Sequence, residues 1–184
     1  MKNTIICISG ITSSGKTTLI NALLPHYPSS AVVSFDDYDI DAQPGAPDLA
    51  MVLTDPEGMV NQFDVTPMLT AVAAAQRDHD LIFLDFPFGY RHHALAGLIN
   101  AVVVVDTPLD VALSRQIRRD YQTPTKTKQD ILDWCAAYER AQPIFAASAV
   151  FMRKGADLLV DGRLPLAEKV AQVQALITWT IAGV

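Results

Sequence analysis

The chain has 184 residues, half of them apolar, with 14 Lys and Arg against 20 Asp and Glu, a net charge of −6 and a pI near 5.0. That length and apolar content suit one packed α/β domain over residues 1–184. The acidic balance excludes general binding to nucleic acid or to an anionic membrane, each of which needs a basic face.

The longest plain apolar run, Ala101–Val105, falls far short of the ~20 residues a membrane span needs. No charged-then-apolar leader precedes the first strand, and Cys7 and Cys135 lack the spacing of metal ligands. A soluble, unprocessed, cytoplasmic protein with reduced thiols is the expectation.

In chain order, apolar strand-like runs fall at Thr4–Ser9, Ala31–Phe35, Leu81–Phe86, Ala101–Asp106 and Asp157–Val160. Between them lie helical patterns at Lys16–Leu24, Pro67–Arg77, Leu109–Tyr121, Lys128–Arg140, a shorter piece at Ile144–Met152, and Leu166–Thr180. Strands alternating with helices predict a five-stranded parallel sheet, and the unbroken hydrophobicity of Val102–Val105 places helices on both of its faces. Two stretches resist regular structure: Asp36–Thr66, rich in Pro and Gly, and Gln122–Lys126. Long loops in compact domains are commonly functional.

The first strand leads into Gly10-Ile11-Thr12-Ser13-Ser14-Gly15-Lys16-Thr17, followed by Thr18 and an apolar helical run. The pattern G-x-x-x-x-G-K-[ST], with a strand before and a helix after, is the phosphate loop. Its glycines let backbone N–H groups turn around a polyphosphate while the helix points its positive end at the same charge. Lys16 reaches the β and γ oxygens and the Thr17 hydroxyl ligates Mg²⁺. ATP with Mg²⁺ is the expected ligand pair.

Asp36-Asp37-Tyr38-Asp39 follows the second strand and belongs at the carboxyl edge of the sheet, where open α/β sheets bind ligands. Asp36 is the leading candidate to accept a proton from an attacking hydroxyl while touching the metal shell; a solvated acidic turn is the plain alternative. Leu81–Asp85 is an apolar strand ending in a carboxylate, so Asp85 is a second candidate to orient Mg²⁺ or polarise the nucleophile. Which of the two is the main base stays open at this level.

Arg115, Arg118 and Arg119 fall at i, i+3 and i+4 before the Gln122–Lys126 break and share one helical face. They read as a lid over about residues 115–128, Arg115 and Arg119 clamping the transferring phosphate, with an ordinary basic surface as the alternative. Asp161 and Gly162, in the turn after the fifth strand, are placed to hold the nucleotide base. Tyr90 and Arg91, with His92 and His93, follow the third strand and are candidates to line an acceptor pocket.

These residues resemble the uridine kinase and nicotinamide riboside kinase branch of the small-molecule phosphate-loop kinases. The resemblance rests on Ile8–Thr18, on Ser34-Phe35-Asp36-Asp37-Tyr38, on Gln62-Phe63-Asp64-Val65, on the Arg-rich helix and on Val160-Asp161-Gly162. It implies that Asp36 is the catalytic acid/base, that Thr17 ligates the metal and that Asp64 grips ribose hydroxyls. It implies too that the lid arginines clamp phosphate, and it puts Asp37, Tyr38 and Phe63 beside the acceptor. The chain departs from that branch at Asp85-Phe86, where Glu-Gly is usual.

A nucleotide switch, an ATPase or a degenerate nucleotide-binding module would also carry a phosphate loop. The chain lacks a guanine-specifying Asn-Lys-x-Asp and has the lid-like helix a switch does not need. Among kinases, a nucleoside monophosphate kinase and a kinase of another small alcohol are the rivals. Between Lys16 and Arg77 there is no Lys or Arg, whereas Asp36, Asp37, Asp39, Asp41, Asp48, Asp55, Glu57 and Asp64 all fall there. A phosphorylated acceptor would need basic partners in that segment, so a neutral or cationic hydroxyl acceptor is expected.

Overall fold

A computed structural model describes residues 3–183. Five strands, β1 (Thr4–Ser9), β2 (Ser30–Ser34), β3 (Leu81–Asp85), β4 (Ala101–Asp106) and β5 (Leu158–Asp161), form one parallel sheet in the order β2-β3-β1-β4-β5. β1 is the central strand, so the loop that leaves it is flanked by two strands on each side. The helices are α1 (Lys16–Leu23), α2 (Pro56–Val60), α3 (Thr66–Ala75), α4 (His93–Ala96), α5 (Leu109–Asp120), α6 (Lys128–Arg153) and α7 (Leu166–Ala182).

Side chains alternate between the two faces of each strand, and both faces are covered. Ile6, Ile8, Phe83, Val103 and Val105 meet Leu19, Ile20 and Leu23 of α1 and Val170, Val173 and Ile177 of α7. On the other face Ile5, Cys7, Ile82, Leu84, Val102 and Val104 meet Met68 and Val72 of α3, Leu95 of α4 and Phe151 of α6. Each such side chain removed from water contributes about 1.5–3 kcal/mol, enough to fix which face a strand turns inward.

Two boundaries differ from the sequence reading. The expected helices Lys128–Arg140 and Ile144–Met152 are one helix, α6, running unbroken through Pro143. Proline removes one N–H and crowds the carbonyl four residues back, but Ile144, Ala147, Phe151 and Met152 pack against the core beyond it and hold the C-terminal half in line. A reciprocal capping box starts the helix: the Thr127 hydroxyl accepts from the Asp130 N–H, and the Asp130 carboxylate accepts from the Thr127 N–H. The second difference lies in Asp36–Thr66, which contains short 3-10 turns and the five-residue α2, capped by the Asp55 carboxylate. Ile40, Val52, Met59 and Val60 tie this stretch to the core.

Candidate active site

The phosphate loop turns at the carboxyl end of β1. Gly10 (φ 139°) and Gly15 (φ 104°) both take backbone conformations that an L side chain rarely adopts. A Cβ on Gly10 would also lie 2.8 Å from the Val105 carbonyl oxygen and 2.9 Å from Ser14 Oγ. Ser13 is left-handed as well, at φ 56°. Among the described residues the only backbone hydrogen bond donated from within Ile11–Gly15 runs from Ser14 N–H to the Ile11 carbonyl, 3.1 Å, so the neighbouring amides are available to a polyphosphate. Ser13 Oγ and Ser14 Oγ are buried without a partner. Such a concave, under-satisfied loop fits an anion.

Lys16 donates to the carbonyls of Gly10 at 3.1 Å and Ile11 at 3.4 Å, arching back over its own loop. A cleft of about 550 Å³ opens above it, lined by Thr12, Ser13, Gly15, Lys16, Thr17, Thr18, Asp36, Arg115, Arg119 and Lys169. That volume is of the size that holds a small ligand. Ile11 and Ser14 are buried beneath it.

Asp85 ends β3 and is 5% exposed. Its Oδ2 accepts from the Thr17 hydroxyl at 3.2 Å. Burial pushes its carboxyl up from the ordinary range and the charges of Asp36 and Asp37 add to that, against the pull of Lys16 and the Thr17 hydroxyl. Ser34 of β2 is in register with Asp85, which puts the exposed Asp36 two residues further along, on the same flank of the cleft. No group of three or more His, Cys, Asp or Glu side chains is clustered among the described residues. A hydroxyl and one or two carboxylates nevertheless suit Mg²⁺, which keeps several waters and takes its remaining ligands from phosphates.

The other flank is tied together by main-chain carbonyls. The buried Thr107 hydroxyl donates to the Ser14 carbonyl at 2.8 Å, and Arg115 donates to that same carbonyl at 3.0 Å and to Gly162 O at 2.9 Å. Gly162 is obligatory here, since a Cβ would run into the Thr107 side chain and lie 3.1 Å from its Cα. Arg119 also faces the cleft, paired with Asp120 and feeling Asp36. Arg118 is outside the lining, so the shared face splits.

Several expected acceptor residues lie elsewhere. After β3 the chain folds back across the sheet, with Gly89 against Val102, instead of running out over the carboxyl edge. Tyr90 therefore donates to Asp157 at 2.8 Å, beside the amino half of β4. Arg91 pairs with Glu57, donates to the Lys154 carbonyl and covers the Phe151 ring. Neither reaches the cleft. His92 is buried, its Nε2 against the Phe63 carbonyl, and burial lowers its pKa; His93 starts α4.

Phe63 is 4% exposed and stacks on Phe88 at 5.5 Å in a cluster with Phe35 and Phe86, so its ring belongs to the floor under this flank. Phe86, directly after Asp85, turns into that cluster and is fully buried, so its bulk does not enter the cleft. Tyr38 packs half-buried at the core margin and Asp37 is exposed. Asp64 is exposed and accepts from the Thr66 N–H, starting α3. Asp161 is held by the N–H and guanidinium of Arg163, which pull its carboxyl down to about 2, and it lines a neighbouring cavity of about 270 Å³.

The sequence reading missed Lys169. On α7 it shares the inward face with Val170, Val173 and Ile177, and it is 7% exposed. A lysine four residues before an inward valine was the available signal.

No protein-family model matches the chain. Human nicotinamide riboside kinase 1 is 55% identical over 38 residues, 21% of this chain; the match spans 19% of that relative's length. The shikimate kinase of Bacteroides thetaiotaomicron superposes with a TM-score of 0.51 at 17% identity, over 95% of this chain and 98% of that one. A sugar kinase from Janibacter sp. gives 0.53 at 16% identity, over 96% and 95%. The five-stranded parallel sheet with helices on both faces is thus a fold that this chain shares with those two kinases.

Proposed function

We propose that this protein is a cytoplasmic kinase that uses ATP and Mg²⁺ to phosphorylate a hydroxyl of a small nucleoside-like acceptor, nicotinamide riboside or a pyrimidine nucleoside first. The observation that carries the reading is the cleft itself. Phosphate loop, basic flank and acidic flank converge on one space of about 550 Å³. The short identity to a nicotinamide riboside kinase supports the acceptor class.

In this reading the triphosphate lies along the loop amides with Lys16 at its terminal phosphates. Asp36 accepts the proton of the acceptor hydroxyl as that oxygen bonds to the γ-phosphorus and the bond to the β–γ bridging oxygen breaks, leaving ADP. Thr17, Asp85 and Asp36 would hold Mg²⁺, which would supply charge neutralisation at the phosphates. Arg119 brings a planar cation to the transferring group as the lid closes and excludes water. Asp64 and Asp37 supply acceptors for a vicinal diol, and Asp161 and Gly162 border the base. An uncharged or cationic acceptor suits a flank that carries Asp36, Asp37 and Asp85 and no Lys or Arg between Lys16 and Arg77.

The test compares kcat/KM for uridine, cytidine, nicotinamide riboside and their monophosphates with ATP and Mg²⁺, reading product by mass. Preference for a monophosphate would refute the charge argument. No product with any hydroxyl compound, alongside steady ATP hydrolysis, would favour a switch or ATPase.

A further inference from the structure

Lys169 is 93% removed from solvent, yet it is one of the residues that line the cleft above the phosphate loop. It is one of the buried residues of α7, with Val170, Val173 and Ile177, and its Nζ donates to Gly162 O at 3.3 Å. That is its one hydrogen-bond partner among the described residues. The ion pairs there are Arg91–Glu57, Arg119–Asp120, Arg153–Asp106 and Arg163–Asp161. Neither Lys169 nor Arg115, which grips the same Gly162 carbonyl, is in one.

Two cations of like sign therefore meet at one carbonyl with no carboxylate between them. Burying a charge without a counter-ion costs stability, and a second like charge adds to the cost. Burial first, and then the Arg115 charge, hold the Lys169 ammonium below the ordinary lysine range. The charge of Asp161 offsets this in part, but its carboxylate is paired with Arg163. A polyphosphate in the cleft supplies the missing negative charge.

The position selects which part of the nucleotide is met. With β1 central, Asp36 and Asp85 belong to the β2–β3 flank, whereas Gly162, Thr107, Arg115 and Lys169 belong to the β4–β5 flank. The γ-phosphate has to face the acceptor flank, so the rest of the nucleotide extends toward the other.

Resting on the kinase reading above, we propose that Lys169 is a nucleotide-binding residue, reaching from the C-terminal helix to the α/β-phosphate end of the donor beside Arg115. The C-terminal helix is thereby part of the nucleotide site.

The test is calorimetric titration of ADP and of a non-hydrolysable ATP analogue, each with Mg²⁺, into the native chain, Lys169→Met, Lys169→Gln and Lys169→Arg, with melting curves of each free protein. Removing the charge should weaken both nucleotides by about ten- to a hundredfold, the worth of one charge-assisted hydrogen bond, and by the same factor for each. Lys169→Arg should retain most of the affinity. The free Lys169→Met protein should melt at or above the native temperature, because a buried unpaired charge has gone; a structural lysine would give the opposite.

Native-like affinity in Lys169→Met, or a loss for the ATP analogue alone, would overturn the assignment. So would failure of both uncharged variants to fold, which would make the residue structural. A native chain that binds neither nucleotide would overturn the phosphate-site reading and this one together. Tight nucleotide binding without any phosphorylated acceptor would refute only the kinase reading.

Discussion

Removing Arg115 and removing Arg119 should have different consequences, although the sequence places them one helical turn apart in the same role. Arg115 donates to two main-chain carbonyls, Ser14 O at 3.0 Å and Gly162 O at 2.9 Å, joining the phosphate loop to the turn after β5. Each bond is charge-assisted but only partly buried, so Arg115→Ala should cost about 2–3 kcal/mol in all. For a chain of this size that lowers the melting temperature by about 5–10 °C. Arg119 is 61% exposed and its partner is its sequence neighbour Asp120; Arg119→Ala should cost no more than about 1 kcal/mol and leave the melt nearly unchanged. On the kinase reading its effect should fall on turnover, where an incompletely closed lid would admit water to the γ-phosphate. Scanning calorimetry separates the first consequence, and the ratio of ADP formed to phosphorylated product separates the second. Equal melting temperatures for the two variants, or an unchanged ratio in Arg119→Ala, would refute this division of labour.

Lys16→Ala should keep the fold and lower kcat about 30- to 1,000-fold, since about 2–4 kcal/mol of transition-state contact is lost; near-normal turnover would remove Lys16 from the phosphate site. Asp36→Asn should depress kcat by about 10²–10⁴ with ATP affinity little changed, and if Asp85→Asn is crippling while Asp36→Asn is mild, the base is Asp85. Asp85 also sets a pH dependence of stability. Its folded pKa is raised, so its favourable contribution is complete below the unfolded carboxylate range and is lost as pH rises through the folded value. Asp85→Asn should therefore melt above the native protein at pH 7, with the gap closing in acid, and a gap that widens in acid would contradict the burial argument. Gly162→Ala should destabilise by about 1–3 kcal/mol through collision with Thr107, read by the same melts.

The phosphate loop and the five strands were legible because each rests on local order: continuous apolar runs for strands and glycines at left-handed turns. Asp36 and Asp85 were legible because a carboxylate just past a strand of a parallel sheet has little choice of edge. Tyr90 and Arg91 were not, because nothing local says that the chain after β3 folds back over Val102. The join across Pro143 depended on tertiary packing of Ile144 and Phe151, which outweighs the local penalty. Lys169 was missed because a lone charge on an amphipathic helix is usually solvated, and only the position of Gly162 gives it something to do.

The sheet order has an evolutionary consequence. Because β1 sits in the middle, the proposed kinase would draw its donor site and its acceptor site largely from opposite wings, from separate stretches of sequence. On the kinase reading, residues 37–66, stitched to the core by a few apolar anchors such as Ile40 and Met59, are the part of the acceptor wing that could change without touching Asp36, Thr107, Arg115 or Gly162. On that reading a change of acceptor would leave the donor side of the cleft in place.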